Sequence, residues 1–141
     1  MSNYVVVGLN SEKYALSISE VQEIIKVQPL TDVPCNKPYV KGVINLRGKI
    51  VPVIGLASRF GVAEALPSSS DRIVIVSSGE EDIGIWVDSV EQVALFEEIL
   101  PPTDSGIGAT QSFLSGLARL NDRLVSVLDL HSVLGLRGAV G

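Results

Sequence analysis

The feature that most limits what this chain can fold into is that its pattern is written twice. Shifted by 69 places, Tyr4-Val5-Val6-Val7 falls on Ile73-Val74-Ile75-Val76, Glu12 on Glu81, Tyr14-Ala15-Leu16 on Ile83-Gly84-Ile85 and Val21 on Val90. Shifted by 74, the 21 positions from Lys41 to Gly61 fall on Ser115 to Gly135 with seven identities: Gly42/Gly116, Leu46/Leu120, Val51/Val125, Val53/Val127, Leu56/Leu130, Ser58/Ser132 and Gly61/Gly135. Two copies of one pattern in 141 residues predict two like units. A unit of roughly 60 residues buries only about 60% of its unfolded surface, so the two are expected to pack on each other.

Each unit reads as β-structure. Valine and isoleucine together number 32, against 3 threonines and 7 aromatics, and branched side chains suit pleated, half-buried surfaces. Tyr4 to Leu9 and Tyr14 to Ile18 flank the polar turn Asn10-Ser11-Glu12-Lys13, a predicted hairpin. Val21 to Val27 is either one helical turn or a third strand, and Pro29, Pro34 and Pro38 then impose an extended or looping path. A second hairpin joins Gly42 to Leu46 and Lys49 to Ile54 across Arg47-Gly48, with glycine where the turn needs positive φ. Pro52 inside it predicts an edge position or a bulge. Leu56 to Phe60 reads as a single helical turn closed by Gly61. The connector falls at 63–70, where Pro67 precedes three serines. Five short strands per unit, cornered by glycine and proline, predict a pair of small curled barrels, since closure removes unpaired edges.

The chemistry available to such a chain is narrow. A net charge of −5 with no run of Lys or Arg argues against nucleic acid and anionic membrane surfaces as partners. No apolar run approaches the roughly 18 to 20 residues that span a bilayer, and Met1-Ser2-Asn3 does not open a secretory signal, so the expected location is cytoplasmic. Cys35, the one cysteine, excludes an internal disulfide and a cysteine-built metal site, and reads as a small apolar filler. His131, the one histidine, reads as a helix-start or surface residue, and Gly106-Ile107-Gly108 as a loop, since Gln111 stands where a dinucleotide motif needs its third glycine. Glu80-Glu81-Asp82 and Glu97-Glu98 read as a solvated turn and a solvated strand end. The remaining route to catalysis is a carboxylate pair of Asp88 and Asp129, in a small-molecule-binding or hydrolytic barrel. Both close strand-like runs, where aspartate commonly accepts hydrogen bonds from the following backbone. No cofactor and no metal is expected.

Four stretches carry a family resemblance: Val21-Gln22-Glu23-Ile24, Tyr39 to Ile54 with its Gly-Val-Ile-Asn-Leu-Arg-Gly core, Gly84 to Val90, and Leu117 to Leu134. Together, and in this order, they resemble the CheW family of bacterial chemotaxis coupling proteins over nearly the whole chain. The resemblance implies an all-β fold with short helices, two pseudo-symmetric five-stranded SH3-like β-barrel subdomains packed on a shared apolar seam. On that pattern residues 1–141 are one domain, with a first subdomain over about 13–70 plus swapped strand elements and a second over about 71–135 plus N-terminal strand elements. The function implied is non-enzymatic: an adaptor linking the helical-hairpin tips of chemoreceptors to the regulatory domain of the histidine kinase CheA in arrays at the inner face of the membrane. A coupling protein of another chemosensory system, such as twitching motility, has the same pattern.

Carried over position by position, the receptor-binding residues are Val21, Glu23, Gly42, Val43 and Arg47. Arg47 at a hairpin tip and Glu23 are expected to form an ion pair that braces this surface. A docked helix needs an apolar groove, expected along the seam between the barrels, with Ile24, Leu46, Val87, Val90 and Leu117 beside Val21 and Val43 as its candidate walls. The kinase domain, itself of this fold, is expected to meet apolar side chains on hairpins at the ends of the molecule. Gly55-Leu56-Ala57 departs from the family, which commonly has an aspartate and then a basic residue there, whereas the second half keeps Asp129. The chain stops at Gly141, short of the longer C-terminal helix of some relatives.

Overall fold

The computed structural model describes residues 2–34, 37–78, 81–96, 98–101 and 113–134. Cys35, Glu80, Glu97, the Gly106-Ile107-Gly108 loop, Gly135 and the C-terminal end lie outside them. The elements in chain order are β1 (Ser2–Leu9), β2 (Glu12–Ser17), a 3-10 turn (Ile18–Glu20), β3 (Val21–Lys26), β4 (Val40–Leu46), β5 (Lys49–Gly55), α1 (Leu56–Phe60), β6 (Arg72–Ser78), β7 (Glu81–Val87), β8 (Ser89–Phe96), β9 (Ile99–Leu100), β10 (Leu114–Leu120), β11 (Arg123–Leu128) and α2 (Leu130–Leu134). The segment left open between helix and strand is therefore strand β3, with a 3-10 turn before it.

The strands form two sheets, ordered β3-β6-β7-β5-β4 and β8-β1-β2-β11-β10-β9. The repeat maps β1, β2, β3, β4 and β5 onto β6, β7, β8, β10 and β11, and under that mapping one sheet order becomes the other. The registers follow. The parallel pair Val53↔Gly84 corresponds to Val127↔Ala15. The bulge that sets Val21 and Glu23 against Val76 and Ile75 recurs where Val90 and Gln92 face Val7 and Val6. The bulge at Val40 and Gly42 recurs at Leu114 and Gly116. Matching bulges are a far stricter test of duplication than matching composition, because each requires one extra residue at one place. The sheets have also exchanged hairpins: β1-β2 belongs with β8, β10 and β11, and β6-β7 with β3, β4 and β5. The expected equality of five strands each needs one correction, since the two-residue β9 adds a sixth strand to one edge, outside the repeat.

This exchange explains the uninterrupted apolar runs. Ile73 and Ile75 point into their own barrel, with Ile44, Val51 and Val53, while Val74 and Val76 point into the seam. In β1, Val6 joins the other barrel's interior and Val5 and Val7 the seam. A strand buried on both faces has no solvent face and so shows no alternation. Each fully buried valine or isoleucine contributes about 1.5–3 kcal/mol, so the seam holds the barrels together firmly.

Pro52 is neither on an edge strand nor in a bulge, which corrects the expectation. The Val43 N–H and C=O both bond Thr31, at 2.9 Å each, so the Val43↔Pro52 pair uses no ladder hydrogen bond. Strand β7 joins β5 only from Val53 onward, so no partner strand waits for a Pro52 N–H. The helices meet across the seam. Arg59 of α1 donates from Nε to the Val133 carbonyl at 2.7 Å and from Nη2 to the Ser132 carbonyl at 3.0 Å, with its guanidinium 4.4 Å from the centre of the Tyr39 ring and 4.9 Å from that of Phe113. Fork and ring stacking together suit arginine and no other residue.

Candidate protein-contact surface

Four of the five receptor-type residues converge on the flank where the first barrel closes. After β3 the chain turns back so that Thr31 bridges Val43, joining the two edges of the β3-β6-β7-β5-β4 sheet. Gly42 is required there. It has φ +148°, and a Cβ on it would stand 2.6 Å from the Thr31 carbonyl oxygen, too near for any side chain. Glu23 follows the β3 bulge, and Arg47 tops the β4–β5 turn. Val21, the fifth, sits at the start of β3 and packs its side chain against the seam cluster.

Arg47 adopts φ +52° and Gly48 φ +85°, the twin left-handed positions of a type I′ hairpin, and the Gly48 N–H donates to Asn45 Oδ1 at 2.9 Å. The equivalent turn of the second half puts Asn121 (φ +50°) and Asp122 (φ +67°) in the same places. Asparagine and aspartate tolerate this conformation; arginine is held in it against its own preference, and such strain concentrates at sites of function. The guanidinium meets Glu23 in the expected ion pair: Nη2 contacts Oε2 and Nη1 donates to Oε1 at 3.3 Å. Both carboxylate oxygens are engaged, which sets orientation as well as contact. The hydrogen bond to Glu23 and its negative charge raise the Arg47 pKa further above its ordinary value. Arg47 keeps 69% of its side chain exposed against 28% for Glu23, so the pair displays a fixed cation to solvent.

Beside it lies a group that motif reading passes over. Asp82, expected in a solvated turn, is mostly covered, accepting from the Gln22 amide at 3.0 Å and facing the Lys49 ammonium at 3.5 Å. Gln22, Lys49 and Asp82 come from β3, β5 and β7, and only the exchanged hairpin brings them together. The repeat keeps a polar group here in both halves, since Gln22, Asp82 and Lys49 correspond to Glu91, Lys13 and Arg123 and Lys13 pairs with Glu91, but the outward pair is not repeated: Glu23 and Arg47 correspond to Gln92 and Asn121, and Lys26 to the exposed Leu95.

The groove expected along the seam is not formed by its candidate walls. The space is filled by core, and Val87 is wholly buried within it, which removes it as a docking wall. Val90 packs against the same cluster, and Leu46 packs into the first barrel's interior. Ile24 faces outward from β3, and Leu117 lines a cleft on the far sheet with Leu95, Leu100 and Leu124. These five do not line one groove, because strands alternate and neighbouring positions face opposite sides. Exposed apolar side chains gather elsewhere. Ile50 (65% exposed) and Leu124 (64%) are repeat equivalents on the two hairpins, and Val93, Leu95 and Leu100 add to the second half's surface.

The Asp88 and Asp129 carboxylates serve separate local roles. Asp88 Oδ2 accepts from the Asn10 N–H at 2.9 Å, a residue distant in sequence rather than the one following it. Asp129 accepts from the His131 N–H at 3.1 Å and the Ser132 hydroxyl at 3.2 Å, as an aspartate before a helix does. His131 is exposed. Among the described residues no three His, Cys, Asp or Glu side chains gather as a metal site would require, and no helix is long and apolar enough to cross a membrane.

Two duplicated barrels that share hairpins and show one charged and one apolar surface define a module for gripping other proteins. The chain belongs to the family described as the CheW-like domain, whose model matches residues 3–138. It is 35% identical to chemotaxis protein CheW of Treponema pallidum, over 89% of this chain and 77% of that protein, and 32% identical to chemotaxis protein CheW of Bacillus subtilis, over 92% and 85%. The crystal structure of the scaffolding protein TtCheW from Thermoanaerobacter tengcongensis matches with a TM-score of 0.88 at 35% identity, over 97% of this chain and 94% of that one.

Proposed function

We propose that this chain is a chemotaxis adaptor that couples the cytoplasmic tips of chemoreceptors to the histidine kinase CheA, working by contact and performing no chemistry of its own. The observation that carries the reading is the Glu23–Arg47 pair, held by a strained turn in the first barrel and replaced by the neutral Gln92 and Asn121 in the second. A turn needed only to join two strands gains nothing from arginine. Val21, Glu23, Gly42, Val43 and Arg47 form the receptor-facing flank, with Gly42 and Val43 shaping it and Arg47 presenting a cation to an acidic position on the receptor hairpin. Ile50 and Leu124, at matching places on the two hairpins, offer dry contacts to the kinase regulatory domain, since exposed apolar groups at hairpin tips contribute most when water is excluded from them. The array position at the inner membrane face follows from those contacts alone.

The test is co-sedimentation of the purified chain with a receptor cytoplasmic fragment and, separately, with the kinase regulatory domain. Both complexes are expected; failure to bind either one, with the protein folded, removes the proposal.

A further inference from the structure

The two halves part company at one carboxylate. In the second half Asp129 accepts the Ser132 hydroxyl at 3.2 Å. The repeat puts Gly55 in place of Asp129 and keeps serine at 58, so Ser58 has lost its partner in sequence. It has one nonetheless: Ser58 donates its hydroxyl to Glu64 Oε2 at 2.7 Å. That oxygen lies 2.7 Å from where a Cβ on residue 55 would stand, so it occupies the volume the missing side chain leaves. Lys41 Nζ donates to the same carboxylate at 3.3 and 3.1 Å and lies 4.8 Å from the centre of the Trp86 ring, whose indole N–H donates to Asp71 at 3.1 Å.

Glu64 belongs to the connector between the halves, whose residues 61–70 are all exposed. Its start is tied down by the Val62 N–H on the Ala57 carbonyl at 3.0 Å and the Asn10 amide on the Ala63 carbonyl at 2.9 Å, and its end by the Ser70 hydroxyl on the Asp88 carbonyl at 3.0 Å. Near that end Arg72 also donates to the Ser69 carbonyl at 3.0 Å and the Asp71 N–H to the Ser68 carbonyl at 3.1 Å, while Glu64 ties the first part of the segment through its carboxylate. The connector roofs a hollow of about 80 Å³ lined by Leu9, Leu56, Pro67, Asp71 and Trp86. An open cleft of about 560 Å³, walled by Val27, Pro29, Leu30, Pro38 and Val40, shares Lys41, Glu64 and Trp86 with the hollow.

We propose that Glu64 replaces from the connector the carboxylate that the repeat places at position 55, and that its contacts with Lys41 and Ser58 make residues 61–70 a strap held closed between the hollow and the cleft. Releasing the strap joins the two spaces and bares one face of Trp86 with a free ammonium beside it. Both halves keep the hydroxyl–carboxylate contact; only in the first is that contact made by a segment able to lift away.

Trp86 is the only tryptophan, so its fluorescence reports on the strap directly. Glu64→Gln is expected to raise acrylamide quenching of Trp86 about twofold and to speed thermolysin cleavage before the exposed Leu66 about tenfold, as a locally opened segment requires, with the circular dichroism unchanged. Gly55→Asp added to Glu64→Gln is expected to recover the melting temperature lost in the single variant while cleavage stays fast, because the restored carboxylate is no longer on the connector. Residue 55 has φ −91° and ψ 124°, open to any side chain, so the variant is not strained by its backbone. Unchanged quenching and cleavage in Glu64→Gln overturn the strap. A melting temperature unaffected by Glu64→Gln, or a loss that Gly55→Asp does not recover, overturns the replacement.

Discussion

Arg47 separates what a turn needs from what a surface needs. Its left-handed backbone disfavours arginine, so Arg47→Asn, which copies the second half's turn, should leave the melting temperature equal or slightly higher while lowering receptor-fragment affinity by about tenfold or more. Thermal melting and a binding isotherm on the same sample check this; matched losses in both would assign Arg47 to the fold instead. Gly42 is predicted to behave oppositely. Gly42→Ala forces a Cβ to within 2.6 Å of the Thr31 carbonyl, and should cost about 1–3 kcal/mol in denaturant unfolding, with any fall in binding tracking the loss of folded protein. Glu64 adds a pH dependence. The Ser58 hydroxyl foremost holds the Glu64 pKa below its unfolded value of 4.5; burial, the next largest effect, opposes it, and the hydrogen bond and charge of Lys41 add to the lowering. A depressed folded pKa means stability that is fully present above 4.5 and lost as pH falls through the folded pKa, so strap protection against proteolysis should hold at neutral pH and fade below 4.5. Lys41, Asp71 and Asp88 are the other charged groups that line the same hollow.

At the scale of elements, Arg59 links α1 to α2 by two hydrogen bonds to carbonyls of the partner helix and by stacking on Tyr39 and Phe113. Arg59→Ala leaves those carbonyls without their donor and is expected to lower stability by about 1–3 kcal/mol, measured by urea unfolding. Lysine should recover little, since it cannot bond both carbonyls and lie flat on two rings. Strands and turns were legible because each has a local cause: alternation, branched side chains, and residues that accept positive φ at Asn10 and Gly48. The exchange of hairpins had no such local cause: swapped strand elements were expected only on the family resemblance, since pattern alone does not choose between equivalent neighbours. That ambiguity also hid the Gln22–Asp82–Lys49 group, assembled only by the exchange. The Glu23–Arg47 pair was legible because opposite charges stand in two family-like motifs of the same half. The groove was misread for a simpler reason: Val87 has no exposed surface, and an apolar residue on a strand buried on both faces looks the same in sequence as one lining a surface.

For the molecule as a whole, the exchanged hairpins make each barrel depend on the other half of the chain. A fragment of residues 1–70 lacks β6 and β7, the centre of its own barrel, and one of 71–141 lacks β1 and β2. Each alone should be largely unfolded by circular dichroism, and an equimolar mixture should regain β-structure; independent folding of either would contradict the account of the seam. Duplication followed by divergence gives one scaffold two faces, a charged flank on the first barrel and exposed apolar side chains at Ile50 and Leu124 on the paired hairpins. A protein that bridges two partners needs such separable faces. The most direct measurement is therefore a three-component sedimentation of this chain, a receptor cytoplasmic fragment and the CheA regulatory domain, run with wild type, Arg47→Glu and Leu124→Glu. Wild type is predicted to carry both partners into one complex, Arg47→Glu to keep the kinase domain and lose the receptor, and Leu124→Glu to keep the receptor and lose the kinase domain; partners that displace each other, or variants that lose both together, would contradict it.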